Sequence, residues 1–272
     1  MDWLHSILNL IGLLFWVLWR AGTLLRPKPS NALAGPTPRP GKIFKHSWVY
    51  LIGLIVLLTL RAVFYNQFGP GLNWTPSMEL IHEAPHFRSD FFPRALAYSI
   101  LSFSRWLIAL YICFALLITI IPKEDSSGIW GSFLRCQFSR LGKLQTIALW
   151  VTALLLASLL HIVEIEWMTL IGVRVENTQN YHHLPLLVML DFRAATYLTM
   201  VIVSLYILNS FIYFGEKKFW KKVDDCGKQL LAPIRKIPLM VGKLDLAPFV
   251  VMAFAYGLSY ILRHDQLALC LQ

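Results

Sequence analysis

Charge is what this sequence has least of: Asp, Glu, Lys and Arg make up 15% of its 272 residues, against about 25% in a soluble globular domain. That deficit, beside a hydrophobic content of 57%, excludes a disordered chain and points to segments that never face water. Cysteine is scarce as well. Cys113, Cys136, Cys226 and Cys270 lie far apart without C-x-x-C spacing, which excludes a zinc ribbon, a thioredoxin-type motif and a disulfide-rich secreted scaffold. The sequence also lacks a Walker loop, a dinucleotide glycine fingerprint, a serine nucleophile elbow and a carboxylate pair within an apolar segment. Those patterns place nucleophiles, bases or phosphates, so their absence reads as a non-enzymatic chain.

What is present is a series of apolar runs. A transmembrane helix needs about 20 mostly apolar residues, and six segments approach or meet that length: 3–19, 47–65, 95–121, 147–163, 194–214 and 244–262. The first has no basic region ahead of it, and Arg20, Arg26 and Lys28 follow it, so it is expected to be a retained span rather than a signal peptide. Three loops, between spans 1 and 2, 3 and 4, and 5 and 6, hold most of the 25 Lys and Arg residues. Cytoplasmic loops carry that excess, so the basic loops are expected in the cytoplasm and both termini on the outer side of a cytoplasmic (inner) membrane. Most of the eight histidines then fall on the outward side.

A repeat runs through this pattern. Gly41-Lys42-Ile43, Gly142-Lys143-Leu144 and Gly242-Lys243-Leu244 recur at nearly equal spacing, each just before an even-numbered span, and His82-x-x-Pro85 recurs as His182-x-x-Pro185. The expected architecture is all-α and polytopic, with six transmembrane helices arranged as three parallel helix-hairpin repeats. The units are 1–80, with a Pro-rich cytoplasmic linker at 27–40, then 81–175 and 176–272.

The third unit runs Pro233-Ile234-Arg235-Lys236-Ile237-Pro238, then Gly242-Lys243-Leu244-Asp245-Leu246-Ala247-Pro248. It resembles the YggT family of small membrane proteins, whose units carry P-x-R-x-x-P, a glycine, and D-x-S-P opening the next helix; Ala247 stands where that serine usually is. Physical chemistry gives these residues a structural role. Asp245 is expected to be an N-cap and Pro248 to lie in the first turn, where its missing N–H costs nothing. Pro233 and Pro238 are expected to stop any continuation of span 5, and Gly242 to permit a tight backbone. The resemblance implies a non-catalytic role linked to osmotic tolerance, cell division or, in plastid relatives, nucleoid distribution and haem assembly.

Other residues are of types that carry chemistry. His82-Glu83-Ala84-Pro85-His86 has the spacing of a zinc-protease H-E-x-x-H motif, but Pro85 interrupts the helix that would align both histidines. No cofactor is expected; metal or haem contact at His82, His86 or His182 is the weak alternative to an interfacial turn. Arg105 lies inside span 3, and a charge at that depth needs a partner or a snorkelling path; Glu164 is the expected partner, with Glu166 as the alternative. Arg61 and Arg94 are expected to snorkel. Lys217-Lys218-Phe219-Trp220-Lys221-Lys222 suits lipid headgroups better than nucleic acid, which is not an expected partner. The expected function is an assembly or organising factor, or an accessory subunit beside other integral membrane proteins and lipids, with a transporter or channel subunit as the alternative.

Overall fold

The structure, a computed structural model, describes residues 2–24, 47–72, 90–121, 145–170, 184–212, 217–237, 239–241 and 244–262. In lipid every backbone polar group must be satisfied within the segment, and the apolar runs accordingly fold as helices. These are α1 (Asp2–Leu24), α2 (Trp48–Phe68), α3 (Phe92–Ile120), α4 (Gln145–Leu170), α5 (Leu184–Asp191), α6 (Arg193–Phe211), α7 (Lys218–Leu231) and α8 (Ala247–Ile261). A two-residue antiparallel ladder pairs β1 (Met240–Val241) with β2 (Leu244–Asp245) just before α8.

Five stretches are long and apolar enough to cross a membrane: Trp3–Thr23, Trp48–Phe68, Phe92–Ile120, Leu149–Trp167 and Leu184–Phe211. The chain is thus a helical, membrane-embedded protein. The sixth expected span is shorter than its sequence suggests, because β2 takes up Leu244 and Asp245. The 15 residues of α8 extend only about 22 Å at 1.5 Å per residue, below a hydrocarbon core of roughly 30 Å. Elsewhere the helices outrun the hydropathy reading. α4 continues past the expected end at Val163, and the fifth crossing starts at Leu184, well before Ala194. In both places the extension carries an acid, Glu164 or Asp191, that contacts His161, so the polarity that stops a hydropathy reading does not stop the helix.

Residue size is sorted in the reverse of a soluble protein. Ala62, Ala95, Ala115, Ala157 and Ala247 are buried between helices, whereas Ile52, Leu60, Leu155, Val201 and Phe254 face outward. Small residues let helix backbones approach, and large apolar side chains cost nothing against lipid.

The contacts also set direction. His5, Trp16 and Ala21 of α1 meet Ser102, Tyr111 and Leu117 of α3 in the same order, so α1 and α3 run parallel. α6 runs parallel to them, with Ala195 near Ile112 and Ile202 near Ile120. α4 runs the opposite way, placing Glu164 by Arg105 and Trp150 by Thr119. α3 is the hub, packing against α1, α2, α4, α5, α6 and α7.

α7 is a helix that the sequence reading treated only as a basic run. Its Val223, Cys226 and Leu231 are buried against α3, α6 and α8, while Phe219, Lys221, Lys222 and Lys228 are exposed. Gly227 makes that packing possible, because a methyl group built there would overlap the ring of Tyr206 on α6. Gly227→Val is therefore expected to lift α7 from α6, with a loss of about 1–3 kcal/mol typical of overpacking. Faster proteolysis between residues 212 and 232 in mixed micelles would report it; cleavage at the wild-type rate would contradict the packing.

Candidate functional site

Two polar clusters lie inside the apolar helices, both built on α3. The first ties α3 to α4 and α5. Arg105 lies about 20 Å along α3 from Phe92 by helical rise, and its Nη2 stands 2.7 Å from Glu164 Oε1. The Glu164 side chain is only 1% exposed and that of Arg105 23%, so the pair lies largely out of water. His161 sits one turn before Glu164 on α4. Its Nδ1 is 3.1 Å from Glu164 Oε2 and its Nε2 is 3.1 Å from Asp191 Oδ2, at the end of α5. One arginine, one histidine and two carboxylates thus join three helices. The two ring nitrogens point to different carboxylates, so their lone pairs do not converge on one metal position. Among the described residues no group of three or more His, Cys, Asp or Glu side chains is arranged to hold a metal ion.

The second cluster ties α1, α2 and α3 together and corrects the expectation for Arg61. That side chain does not snorkel: Arg61 is 3% exposed. Its Nε donates to Ser99 Oγ at 2.9 Å, its Nη1 to Asn9 Oδ1 at 2.6 Å, and its Nη2 to the Ser99 carbonyl. The guanidinium also lies 5.8 Å from the centroid of the Tyr65 ring, a cation–π distance. Asn9 Nδ2 donates to Ser102 Oγ at 3.1 Å and to His5 Nε2 at 3.1 Å. Ser102 Oγ donates to the same His5 nitrogen at 2.6 Å, and His5 Nδ1 lies 3.0 Å from the Tyr65 hydroxyl. Since an amide NH2 has no acceptor, Nε2 of His5 must be bare and Nδ1 carries the hydrogen. This cluster is satisfied with a neutral histidine.

The residues of the third-unit motif gather at the other end of the bundle. Arg235 Nη2 donates to the Tyr206 hydroxyl at 2.8 Å and to Asp245 Oδ2 at 3.3 Å. Asp245 Oδ1 accepts the Ala247 N–H at 2.9 Å. Asp245 is nevertheless not the N-cap, which is Leu246; the pairing of β2 with β1 and the bond to Arg235 hold the aspartate one position earlier, where it still satisfies an orphan N–H of α8. Pro248 falls in the first turn of α8. Pro233 follows α7, so what it terminates is α7 rather than span 5, which ends at Phe211. A cleft of about 260 Å3 opens here, lined by Tyr206, Ser210, Phe211, Asp245, Pro248 and Phe249 among others.

Gly41, Lys42, His82, His86, Gly142, Lys143, His182, Pro238, Gly242 and Lys243 lie outside the described residues. The structure brings together Arg105 with Glu164 and Arg235 with Asp245. The sequence reading missed His5, Asn9, Arg61, Ser99, Ser102 and Asp191 as network members, and grouped His161 with Glu164 only as outward-facing polar residues. A signal was present in α3, where Tyr98, Ser99, Ser102 and Arg105 recur at three- to four-residue spacing, and in α1, where His5 and Asn9 are one turn apart. The chain matches no family model, no curated protein and no solved structure.

Proposed function

We propose that this chain is a non-catalytic, YggT-like protein of the cytoplasmic membrane that acts as an assembly or organising factor, or an accessory subunit, of a larger membrane complex. The observation that carries the reading is the use of its intramembrane polar groups. Arg105, Glu164, His161 and Asp191 bond one another, and Arg61 bonds Asn9 and Ser99; these bonds stitch helices to helices while large apolar faces stay uncovered. Such a body is a scaffold whose free surfaces suit lipid and other membrane helices.

In this reading the six apolar segments pair as three parallel hairpins, the third closed by the short α8. The packing of α1 on α2, α3 on α4, and α6 on α8 supports those pairs. The basic loops face the cytoplasm and both termini the outside. The Arg235–Asp245–Tyr206 contact then fixes the cytoplasmic entry to α8. Asp245→Ala removes a carboxylate that holds both Arg235 and the first helical N–H of α8, a loss of about 1 kcal/mol on helix-capping scales. It is expected to lower membrane accumulation or the recovery of a stoichiometric partner, and unchanged behaviour in both assays would sink the reading.

A transporter or channel subunit is the second reading, favoured by the concentration of ionisable groups around α3. Solute flux in proteoliposomes that disappears in Arg105→Ala would support it, whereas no flux for the ions tested would count against it.

A further inference from the structure

The two histidines among the described residues, His5 and His161, differ in a way that their hydrogen bonds make explicit. His5 meets two donors on one nitrogen and a hydroxyl on the other, so a neutral ring satisfies all three. His161 meets a carboxylate at each nitrogen, both at 3.1 Å. Ionised carboxylates only accept, and a neutral imidazole has one N–H to give. A neutral His161 between two ionised carboxylates would therefore set a bare nitrogen lone pair against a carboxylate lone pair, in a site where His161 is 2% exposed and Glu164 0%. An unpaired contact of that kind is costly in low dielectric.

We propose that His161, Glu164 and Asp191 form a proton-binding site within the membrane, and that its proton closes a clasp between α4 and α5. Among the described residues α4 packs mainly against α3 and α5 and shares a buried cluster with Ala195 of α6; the charged groups at the ring are Arg105 from α3 and Asp191 from α5, with Glu164 on α4 itself. Arg193, just beyond Asp191, turns away and donates to Tyr197 on its own helix at 2.9 Å. Arg105 stands 2.7 Å from Glu164, a contact that suits a carboxylate without a proton, so the added proton resides on the imidazole ring. With it the cluster holds two cations and two anions, and both ring nitrogens donate. Binding is a simple protonation: the free ring nitrogen takes up one proton, and no other bond is made or broken.

Release of the proton leaves one N–H for two carboxylates. The contact to Asp191 is the one that yields, because Arg105 and the short helical spacing hold Glu164 beside the ring. Asp191 closes α5 immediately before the break at Phe192 that separates α5 from α6, so the loss frees the end of a short helix from α4. The clasp is thus closed while the ring is charged and opens as pH rises past the point where the ring gives up its proton. The inference requires only the membrane-embedded helical fold, and it goes beyond the organising role.

Two measurements test it. In bilayers of the full chain labelled with 15N-histidine and 13C-carboxylate Asp and Glu, dipolar recoupling selects rings lying against carboxylates, and the signal lost in His161→Gln identifies His161. The expected ring has two protonated nitrogens at neutral pH and one in Asp191→Asn. A wild-type ring with one bare nitrogen beside a carboxylate would overturn the proposal. Spin labels at Leu159→Cys and Met189→Cys, exposed positions on α4 and α5, report the clasp directly in a background with the native cysteines replaced. The interlabel distance is expected to widen with rising pH in the otherwise wild-type chain and to stay flat in His161→Gln. A distance insensitive to pH while the ring deprotonates would remove the clasp.

Discussion

Replacing Glu164 with alanine is expected to be among the most damaging single changes in this chain. The carboxylate is 1% exposed and meets Arg105 at 2.7 Å and His161 at 3.1 Å, so its loss removes the buried anion that faces a guanidinium and an imidazole nitrogen among apolar helices. Removing one partner of a buried ion pair typically costs about 3–5 kcal/mol, most of it the penalty for the charge left behind. Against a total stability of roughly 5–15 kcal/mol, that loss should show as a collapse in the yield of monodisperse protein and an early unfolding transition in mixed micelles. The paired change Arg105→Met with Glu164→Met separates charge from packing. It removes both ions, leaves a neutral His161 free to donate to Asp191, and should recover most of the loss, since apolar replacements of a buried pair are often neutral. If the double variant were as unstable as the sum of its parts, the ion pair would not be what joins α3 to α4.

Arg61→Met is expected to have the second largest effect, by a different route. Arg61 is buried, and its donors satisfy Asn9 Oδ1, Ser99 Oγ and the Ser99 carbonyl. Methionine fills much of the same volume but leaves the Asn9 oxygen without its donor in the interface of α1, α2 and α3. A buried acceptor stranded in this way costs about 1–3 kcal/mol, and the loss of the forked contact adds to it. The expected loss is about 2–4 kcal/mol on those figures, with α1 the first element to detach. Arg61→Lys keeps the charge yet lacks the planar fork that reaches Asn9 and Ser99 together, so it should fall between wild type and Arg61→Met. A Met variant as stable as wild type would show that the snorkelling expected from sequence position describes Arg61 better than the buried network does.

The helices were legible in the sequence because hydropathy in a membrane is a local property. α2 and α3 emerge within a few residues of their expected bounds. What hydropathy reads poorly is a charge that another helix neutralises. Arg61 looks like a residue near a span end until Ser99 and Asn9 are brought beside it, and α4 appears to stop before Glu164 because Arg105 and His161 join it in one cluster only in three dimensions. The pairing of Arg105 with Glu164 was accessible because an isolated charge demands a partner and few acids lie at a similar depth. Asp191 was out of reach by that route, since the reading began the fifth crossing at Ala194 and placed the aspartate in a loop. α7 was missed for the opposite reason: its lysines dominate the composition, although Val223, Cys226 and Leu230 recur at helical spacing and mark an apolar face.

The third-unit motif shows how far local rules extend. Pro248 falls in the first turn of α8, where the resemblance and its covalent geometry both put it. Asp245 was assigned to the cap itself, but the ladder between Met240 and Asp245 and the bond from Arg235 hold it one residue earlier. The satisfied N–H belongs to Ala247 in either case, so the chemistry of the end is kept while its register moves.

The central claim is that the buried ionic groups brace a scaffold that works beside other membrane proteins. The most direct test is mild-detergent extraction of the native protein, with the mass of the particle and the identity and stoichiometry of its components determined on the same fraction. A particle heavier than the chain and its lipid, with a partner in fixed ratio that is lost in Asp245→Ala, is the predicted result. A particle containing this chain alone, whose reconstituted form conducts a solute in a manner abolished by Arg105→Ala, would contradict the account and make the charges around α3 a conduit.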